Sequence, residues 1–201
     1  MILAPDGSSV DGSASIDTVH LARHAPVWLD ETVSAWATYG PALFAVLMAI
    51  GWWRARRMGA TASVTALAVP FVVVVAYGVD TALKLPVREE RPCQSLRVAT
   101  LEACPAPSDW SFPSNHAAVA AAAAIALLFV SRRLGAVAVV AAGAMAASRI
   151  RVGVHYPHDM VAGVVVGALA ALLLMSALRR RAGALTRRLT ATRLRPLLTT
   201  S

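Results

Sequence analysis

The sequence has few charged residues, and this excludes an ordinary soluble domain. Charged residues make up 15% of the chain and hydrophobic residues 57%, whereas a soluble globular domain carries about 25% charged residues. The mean hydropathy is accordingly high, at +0.60. The apolar residues fall into blocks of roughly 15–23, close to the ~20 residues that cross a bilayer as a helix. The composition therefore predicts an all-α, polytopic membrane helix bundle with no second large domain.

Cysteine and lysine are also scarce. The two cysteines, Cys93 and Cys104, are too far apart for a redox Cys-x-x-Cys motif and have too few neighbouring ligands for a zinc site. On an oxidising exterior we expect them to form a disulfide that stiffens the segment between them. The single lysine, Lys84, stands in a chain that otherwise uses arginine, which indicates a position that requires a compact ammonium. An interfacial lysine paired with Asp80 is the alternative.

The N-terminal segment lacks the features of a secretory signal. Its first 17 residues contain no basic residue and no long apolar run. We expect residues 1–15 to form a disordered polar N-terminus. Residues 16–31 mix apolar, charged and histidine residues, and an amphipathic helix on the membrane interface is expected there. Within it His20 and His24 have a spacing that can bind metal, but a solvated face is the preferred interpretation.

Five apolar stretches predict five membrane spans. The third and fourth are short and rich in alanine, so they are expected to lie among the other helices or in a locally thinned bilayer. The predicted membrane domain covers residues 16–178 and is followed by a basic tail, 179–201. The predicted spans are approximately 33–53, 61–83, 116–130, 134–147 and 157–178.

Arginines follow every second predicted span. They occur after the first span, after the third span and throughout the tail. The positive-inside rule places these segments in the cytoplasm of a cell-membrane protein, with the C-terminus among them. The connections 84–115 and 148–156 then face the exterior. The tail is expected to contact anionic lipids rather than nucleic acid.

Three short polar segments adjoin the apolar stretches in these two exterior connections. They are Lys84–Pro92, Phe112–His116 and Ser148–Asp159. Together they supply three cations, two histidines, a hydroxyl and a carboxylate. These groups are sufficient to bind a phosphate and transfer it to a histidine.

The second polar segment opens a helix. Ser114 follows Pro113 and precedes an alanine run, so it is a candidate N-cap. A helix N-terminus also binds phosphate, through free N–H groups and the positive end of its dipole. His116, in the first turn, can protonate a leaving oxygen near such a phosphate. A purely structural role, as a cap and as a packed histidine, remains the alternative for both residues.

The third polar segment combines a cation, a histidine and a carboxylate. Arg149 offers a planar fork that suits phosphate oxygens. Pro157 is suited to begin the last span, which puts Asp159 in the first helical turn, within reach of His155. A carboxylate that keeps one imidazole nitrogen protonated leaves the other nitrogen as a nucleophile. We expect the neighbouring His158 to point elsewhere.

The three motifs resemble the signature of the type 2 phosphatidic acid phosphatase superfamily. That group includes membrane lipid phosphatases, undecaprenyl-diphosphate phosphatases, glucose-6-phosphatases and soluble vanadium haloperoxidases. The resemblance covers roughly residues 30–178. The motifs that carry it are Lys84-x6-Arg91-Pro92, Pro113-Ser114-Asn115-His116 and Ser148-Arg149-x5-His155-x3-Asp159.

The resemblance implies a catalytic role for each of these residues. His155 would form a phosphohistidine, Asp159 would orient it, and His116 would be the general acid. No metal or other cofactor is implied, because cations of the chain stabilise the phosphate charge. The residues implied to bind phosphate are Lys84, Arg91, Ser114, Asn115 and Arg149.

One position departs from the family pattern. Asn115 stands where the family usually has glycine, and asparagine can still offer its N–H and tolerates unusual backbone angles. The surrounding runs are similar to the undecaprenyl-diphosphate phosphatase subgroup. The expected substrate is therefore undecaprenyl or decaprenyl diphosphate, hydrolysed at the outer face to recycle the carrier for cell-wall synthesis. Phosphatidic acid, phosphatidylglycerophosphate and polyprenyl-phosphoribose phosphatases remain alternatives.

Two other classes of function are disfavoured. A soluble haloperoxidase would not carry five apolar spans, and a catalytically inactive scaffold would not need every position of the motifs filled.

Overall fold

The computed structural model describes residues 10–23, 25–96, 100–193 and 195–199. Within these residues the chain forms eight helices and no strand. The helices are α1 (Val10–Arg23), α2 (Val27–Arg56), α3 (Ala60–Val87), α4 (Pro92–Ser95), α5 (Asn115–Val130), α6 (Arg132–Arg151), α7 (Pro157–Thr190) and α8 (Arg195–Leu198).

In the part of the chain that the structure describes, four helical segments are long and apolar enough to cross a membrane, and α5 is a shorter apolar helix. The four segments are α2, Ala60–Ser95 (which contains α3 and α4), α6 and α7. Large apolar side chains face outward from them; Val140 is 75% exposed and Leu173 is 69% exposed. A surface of this kind suits lipid contact. The expected all-α membrane bundle is confirmed.

The short alanine-rich helix α5 lies at the centre of the bundle. Nine of its residues are buried, and eight of these are alanines. It packs against α2, α3, α6 and α7. Because alanine side chains are small, the neighbouring helices approach α5 closely. The third predicted span is thus buried among the others.

Two glycines of α7 allow the closest of these contacts. A Cβ atom at Gly167 would overlap the backbone of Ala118, and one at Gly163 would lie 2.5 Å from the carbonyl oxygen of Ser114. The contact brings the first turns of α5 and α7 together, and the Ser114 amide donates to the Asp159 carbonyl at 3.2 Å.

Hydrogen bonds join several helix ends: Lys84 donates to the carbonyl of Trp110, Arg91 to that of Val154, and the Ser114 amide to that of Asp159. The end of α3, the beginning of α5, the end of α6 and the beginning of α7 therefore meet at one end of the bundle. All three polar segments lie at this end, which we call the site end. The arginines at the end of α2, at the beginning of α6 and after the apolar part of α7 lie at the opposite end, which we call the basic end.

The N-terminal region is more ordered than expected. Helix α1 begins at Val10, inside the segment 1–15 that was expected to be disordered; residues 1–9 lie outside the described residues. Asp11 favours the helix because it stands near the positive end of the dipole. It also pairs with His158 at 3.2 Å. The side chains of His20 and His24 lie outside the described part of the chain.

The C-terminal region is not a separate tail. Helix α7 continues to Thr190, beyond the predicted end of the span at 178. Helix α8 then packs back on the bundle: Trp52 donates its indole N–H to the carbonyl of Leu197 at 3.0 Å, and Ser63 donates to the carbonyl of Leu198 at 2.8 Å.

Candidate active site

The beginning of α7 holds a buried histidine–carboxylate pair. Asp159 is the third residue of the helix, and its Oδ2 accepts the backbone N–H of Tyr156 at 2.8 Å. This bond, which resembles half of a capping box, fixes the carboxylate at the helix start. The same oxygen lies 3.2 Å from Nδ1 of His155. His155 is 2% exposed and Asp159 is fully buried.

Hydrogen bonds define the tautomer of His155. Nη1 of Arg91 lies 2.9 Å from Nε2 of His155. Because a guanidinium can only donate, Nε2 presents a lone pair, and the ring proton is on Nδ1, facing Asp159. Burial lowers the pKa of His155 to about 3, against a partly compensating hydrogen bond to Asp159. The ring is therefore neutral at pH 7, and Nε2 is the candidate nucleophile once Arg91 releases its lone pair.

Ser111 completes this pair, and sequence reasoning missed it. Its hydroxyl donates to Oδ2 of Asp159 and lies 3.4 Å from Nδ1 of His155. Its backbone N–H donates to the carbonyl of Glu89 at 2.8 Å, which fixes the residue beside the end of α3. Nothing in the sequence distinguishes Ser111 from an ordinary loop serine.

Three buried cations surround the histidines. Lys84, Arg91 and Arg149 are 6%, 4% and 7% exposed. All three are close enough to His116 to interact with it electrostatically. Burying several like charges together is costly unless an anion compensates them. The cluster is therefore suited to bind a phosphate, whose charge it would stabilise without reorganisation.

Lys84 does not bond to Asp80, the partner considered in the alternative interpretation. Its ammonium donates to the carbonyls of Trp110 at 2.6 Å and Ser111 at 3.4 Å. Both carboxylate oxygens of Asp80 are buried without a hydrogen-bond partner in the described part of the chain. Lys84 thus links α3 to the loop that carries Ser111.

The two arginines of the cluster are held by acidic residues that sequence reasoning also missed. Asp109 contacts Nη2 of Arg91 at 3.0 Å, and Glu102 contacts Nη1 of Arg149 at 3.1 Å. Arg91 donates further to the carbonyl of Val154 at 3.0 Å. Both acidic residues belong to the connection between α4 and α5. We call residues 100–111 the site loop.

A disulfide anchors the site loop. Cys93 in α4 is bonded to Cys104, with a Cα–Cα distance of 6.0 Å. The bridge fixes the segment that carries Glu102. The loop also bonds to the α6–α7 connection, since the Leu101 amide donates to the carbonyl of Val152 at 3.2 Å.

The beginning of α5 presents polar atoms that have no partner. Ser114 occupies the N-cap position, as predicted, but its hydroxyl does not cap the helix. Among the described residues, the Ser114 hydroxyl, the Asn115 side-chain oxygen and Nε of Arg149 are buried without a hydrogen-bond partner. Buried polar groups are normally satisfied. Their position at a helix N-terminus suits a bound phosphate.

His116 stands between the cations and an apolar cavity. It lies in the first turn of α5 and contributes to the wall of a cavity of about 180 Å³. The other residues of the wall are almost all apolar. They are Pro41, Phe44, Tyr77, Asn115, Val119, Ala120 and Met145. A group that binds the cations can therefore extend past His116 into a hydrocarbon environment.

His158 corrects one sequence expectation, because it points toward the site. Its Nε2 lies 2.9 Å from Glu89 Oε1 and 3.4 Å from Asp159 Oδ1, and its Nδ1 lies 3.2 Å from Asp11. The ring stacks on that of Tyr156, with centroids 5.4 Å apart. The side chain of a first-turn residue can turn back toward the beginning of its helix. Helical periodicity alone does not predict this direction.

Three residues of this cluster are a candidate metal-binding group within the described part of the chain. Glu89, His158 and Asp159 offer ligand atoms that lie within 4.8 Å of one another. One imidazole and two carboxylates suit Zn²⁺ or Mn²⁺. The hydrogen bond of His158 to Glu89 and its ion pair with Asp11 also account for this arrangement without a metal.

Comparison with protein families identifies a match to the PAP2 superfamily over residues 65–182. This range contains every motif residue from Lys84 to Asp159, the site loop and most of the core helices.

Curated relatives are named as phosphatases or diphosphatases of decaprenyl or undecaprenyl compounds. The chain is 34% identical over 150 residues to the decaprenylphosphoryl-5-phosphoribose phosphatase of Mycobacterium tuberculosis, covering 74% of this chain and 70% of the relative. It is 31% identical over 115 residues to an undecaprenyl-diphosphatase of Sulfolobus acidocaldarius, covering 57% and 52%. It is 42% identical over 78 residues to the undecaprenyl-diphosphatase BcrC of Bacillus subtilis, covering 39% of each chain.

Solved structures share the fold. A PAP2-type phosphatidylglycerolphosphate phosphatase from Bacillus subtilis aligns with a TM-score of 0.62 at 21% identity, covering 85% of each chain. LpxE from Aquifex aeolicus aligns with the same TM-score and identity, covering 80% of this chain and 94% of that one.

Proposed function

Since this chain belongs to the PAP2 superfamily and is a multi-pass membrane lipid phosphatase, we propose that its substrate is a polyprenyl diphosphate. The proposed reaction yields the polyprenyl monophosphate at the outer face of the cell membrane, with the C-terminus in the cytoplasm. The substrates proposed first are undecaprenyl and decaprenyl diphosphate. Recycling of a carrier lipid for cell-wall synthesis is the corresponding proposed role.

The observation that carries this proposal is the position of His116. It lies between the buried cations and the apolar cavity. A lipid phosphate likewise has a charged part and an apolar part, since its multiply charged head is joined to a hydrocarbon chain. His116 is placed near the junction, where the bond to the leaving group breaks.

The proposed first step is phosphoryl transfer to His155. Lys84, Arg91 and Arg149 hold the phosphate oxygens, with the Ser114 hydroxyl and the N–H groups at the beginning of α5. The hydrogen bond from Nη1 of Arg91 to Nε2 of His155 breaks as Nη1 turns to a phosphate oxygen. Nε2 then attacks phosphorus while the bond from phosphorus to the leaving oxygen breaks. His116 gives its proton to that oxygen, so the polyprenyl monophosphate leaves without an additional negative charge.

The proposed second step releases phosphate. A water molecule attacks the phosphohistidine, and His116, now unprotonated, accepts a proton from that water. The bond between phosphorus and Nε2 breaks, which restores neutral His155 and protonated His116. Arg91, 2.9 Å from Nε2, stabilises the charge on the phosphoryl oxygens in both steps.

Asp159 and Ser111 would prepare His155 for the attack. Asp159 accepts the Nδ1–H and stabilises the positive charge that the ring gains when the phosphohistidine forms. The hydroxyl of Ser111 and the amide of Tyr156 hold the carboxylate in place. The same arrangement explains why Nε2, and not Nδ1, would be the nucleophile.

A second candidate substrate is a polyprenylphosphoryl phosphoribose. It is supported by the 34% identity to the Mycobacterium tuberculosis relative, which extends over 74% of this chain. Both candidates carry a terminal phosphate group and a prenyl chain. In the diphosphate a single phosphate joins them, whereas in the second candidate a phosphate and a ribose join them.

The test is release of phosphate by the purified protein in detergent, with EDTA present. Undecaprenyl diphosphate, a polyprenylphosphoryl phosphoribose, phosphatidic acid and phosphatidylglycerophosphate would be compared side by side, with His155→Ala as the inactive control. We expect the highest kcat/KM with the diphosphate and no loss of rate in EDTA. Preference for a glycerophospholipid would reject the polyprenyl proposal, and a strict metal requirement would reject the metal-independent mechanism.

A further inference from the structure

The basic end of the bundle carries positive charge without acidic residues. The sequence contains no aspartate or glutamate at 32–79, 110–158 or 160–201. These ranges include the ends of α2, α5 and α7 and the beginnings of α3 and α6 that form the basic end. The charge there must therefore be balanced by groups outside the chain.

Four of the arginines surround a single cavity. It has a volume of about 600 Å³ and lies between the α2–α3 connection, the α5–α6 connection and α7. Arg54 is in the last turn of α2, Arg132 and Arg133 are in the first turn of α6, and Arg179 is in α7. This cavity is separate from the one beside His116, which lies at the other end of α5.

These arginines have no acidic partner in the described part of the chain. None of the four takes part in a salt bridge there. Arg179 lies over the ring of Phe129, 4.9 Å from its centroid, which orients the guanidinium at the cavity wall. Four guanidinium groups around one volume repel each other, and an anion between them would remove that repulsion.

Helix geometry adds to the positive character of the cavity. Thr61 and Ala62 in the first turn of α3 line it, as do Ser131, the N-cap of α6, and Leu134. The first N–H groups of a helix have no partner inside that helix and favour an anion. The hydroxyls of Thr61, Thr65 and Ser131 are further hydrogen-bonding groups at the wall.

The remainder of the wall is apolar. Met58, Phe129, Val130 and Leu134 line the same cavity, next to the lipid-facing surfaces of their helices. A small inorganic anion would leave this part of the wall without a matching group. A ligand that joins a phosphate to a hydrocarbon chain matches both parts.

We propose that this cavity is a binding site for the phosphate headgroup of an anionic phospholipid, separate from the active site. The phosphate lies among Arg54, Arg132, Arg133 and Arg179, and the acyl chains run along the apolar wall. The lipid belongs to the membrane leaflet at the basic end, opposite the leaflet that contacts the candidate active site.

The test compares two pairs of arginines. Arg132→Gln/Arg133→Gln removes two charges from the cavity, and Arg187→Gln/Arg188→Gln removes two charges from the same end of α7 outside the cavity wall. Native mass spectrometry would measure phosphatidylglycerol and phosphatidylcholine bound to each protein in neutral detergent. Thermal unfolding with added phosphatidylglycerol or inorganic phosphate would provide a second measurement.

We expect the wild type and the Arg187/Arg188 variant to retain phosphatidylglycerol in preference to phosphatidylcholine, and the Arg132/Arg133 variant to lose affinity by about tenfold or more. Equal losses in the two variants would show only general charge attraction and would overturn the proposal. Equal binding of the two lipids would also overturn it, as would equal stabilisation by inorganic phosphate alone. Wild-type phosphatase activity in both variants would show that they are folded, since neither pair belongs to the active site.

Discussion

At the scale of single residues, the proposed chemistry depends on the different surroundings of two histidines. His155 is buried, neutral and held by Asp159 and Arg91. His116 stands at the junction of the cation cluster and the apolar cavity. The first surroundings suit a nucleophile. The second place His116 beside the leaving group, where the negative charge of a bound phosphate would offset the neighbouring cations and favour the protonated imidazole that an acid requires.

The role of His116 predicts a dependence on the leaving group. His116→Ala should lower kcat by about 10²–10⁴-fold for a phosphomonoester, whose alcohol leaving group needs a proton. The loss should be smaller for a diphosphate, because the departing phosphate is a better leaving group. Rates with polyprenyl diphosphate and phosphatidic acid would be measured for both proteins. Equal losses with both substrates would contradict the assignment of His116 as general acid.

The buried state of His155 predicts how stability depends on pH. The pKa of His155 is lowered to about 3 in the folded protein, while an unfolded histidine titrates near 6.5. Below pH ~6.5 the unfolded chain binds a proton that the native chain does not, so stability falls as the pH falls toward 3. At pH 5 this contributes a loss of up to about 2 kcal/mol.

His155→Gln removes this contribution. The wild-type protein should therefore lose more thermal stability than the variant between pH 7.5 and pH 5, as measured by thermal unfolding in detergent. If the two proteins lose the same stability, His155 does not remain neutral in the folded state.

At the scale of elements, the contact between α5 and α7 aligns the two halves of the site. Gly167 has no room for a Cβ against Ala118, whereas Gly143 in α6 has open space around it. Gly167→Ala should therefore separate the helices, lower stability by about 1–3 kcal/mol and reduce kcat. Gly143→Ala is the matched control and should leave both nearly unchanged. Thermal unfolding and phosphate release measure the two effects, and similar behaviour of the two variants would reject this packing argument.

The site loop is the second element that determines the site. Its Glu102 holds Arg149, so a phosphate must compete with a carboxylate for that guanidinium. Glu102→Gln should therefore tighten binding of the product phosphate several-fold, since a neutral amide competes less well than a charged carboxylate. The inhibition constant of inorganic phosphate measures this effect. Weaker inhibition in the variant would mean that Glu102 positions Arg149 for the phosphate instead of competing with it.

At the scale of the whole molecule, charge separates the two ends of the bundle. The acidic partners of the site arginines lie at the site end, and the arginines of the proposed lipid site lie at the basic end. The positive-inside rule predicts that the basic end is cytoplasmic. A membrane-impermeant maleimide applied to intact spheroplasts should therefore label Ala106→Cys, at the site end, and not Met58→Cys, at the basic end. Both positions are exposed. Labelling of Met58→Cys alone would reverse the proposed orientation.

The sequence alone determined the membrane class, the approximate spans and the residues of the three motifs. These features depend on composition and local spacing: a run of apolar residues identifies a span, and Pro157 followed by Asp159 identifies a helix start that can hold His155. Helix limits were less well determined, since α7 continues to Thr190 and α1 begins at Val10. Those limits depend on packing and pairing with distant residues.

Only the tertiary structure decided which groups surround the motif residues. Ser111 on Asp159, Glu102 on Arg149 and Glu89 on His158 are contacts between residues 48, 47 and 69 positions apart. An acidic or hydroxyl residue in a loop carries no local sign of such a partner. The cavity beside His116 and the cavity among the arginines were likewise absent from the sequence prediction, because each is formed by helices that meet only when the bundle packs.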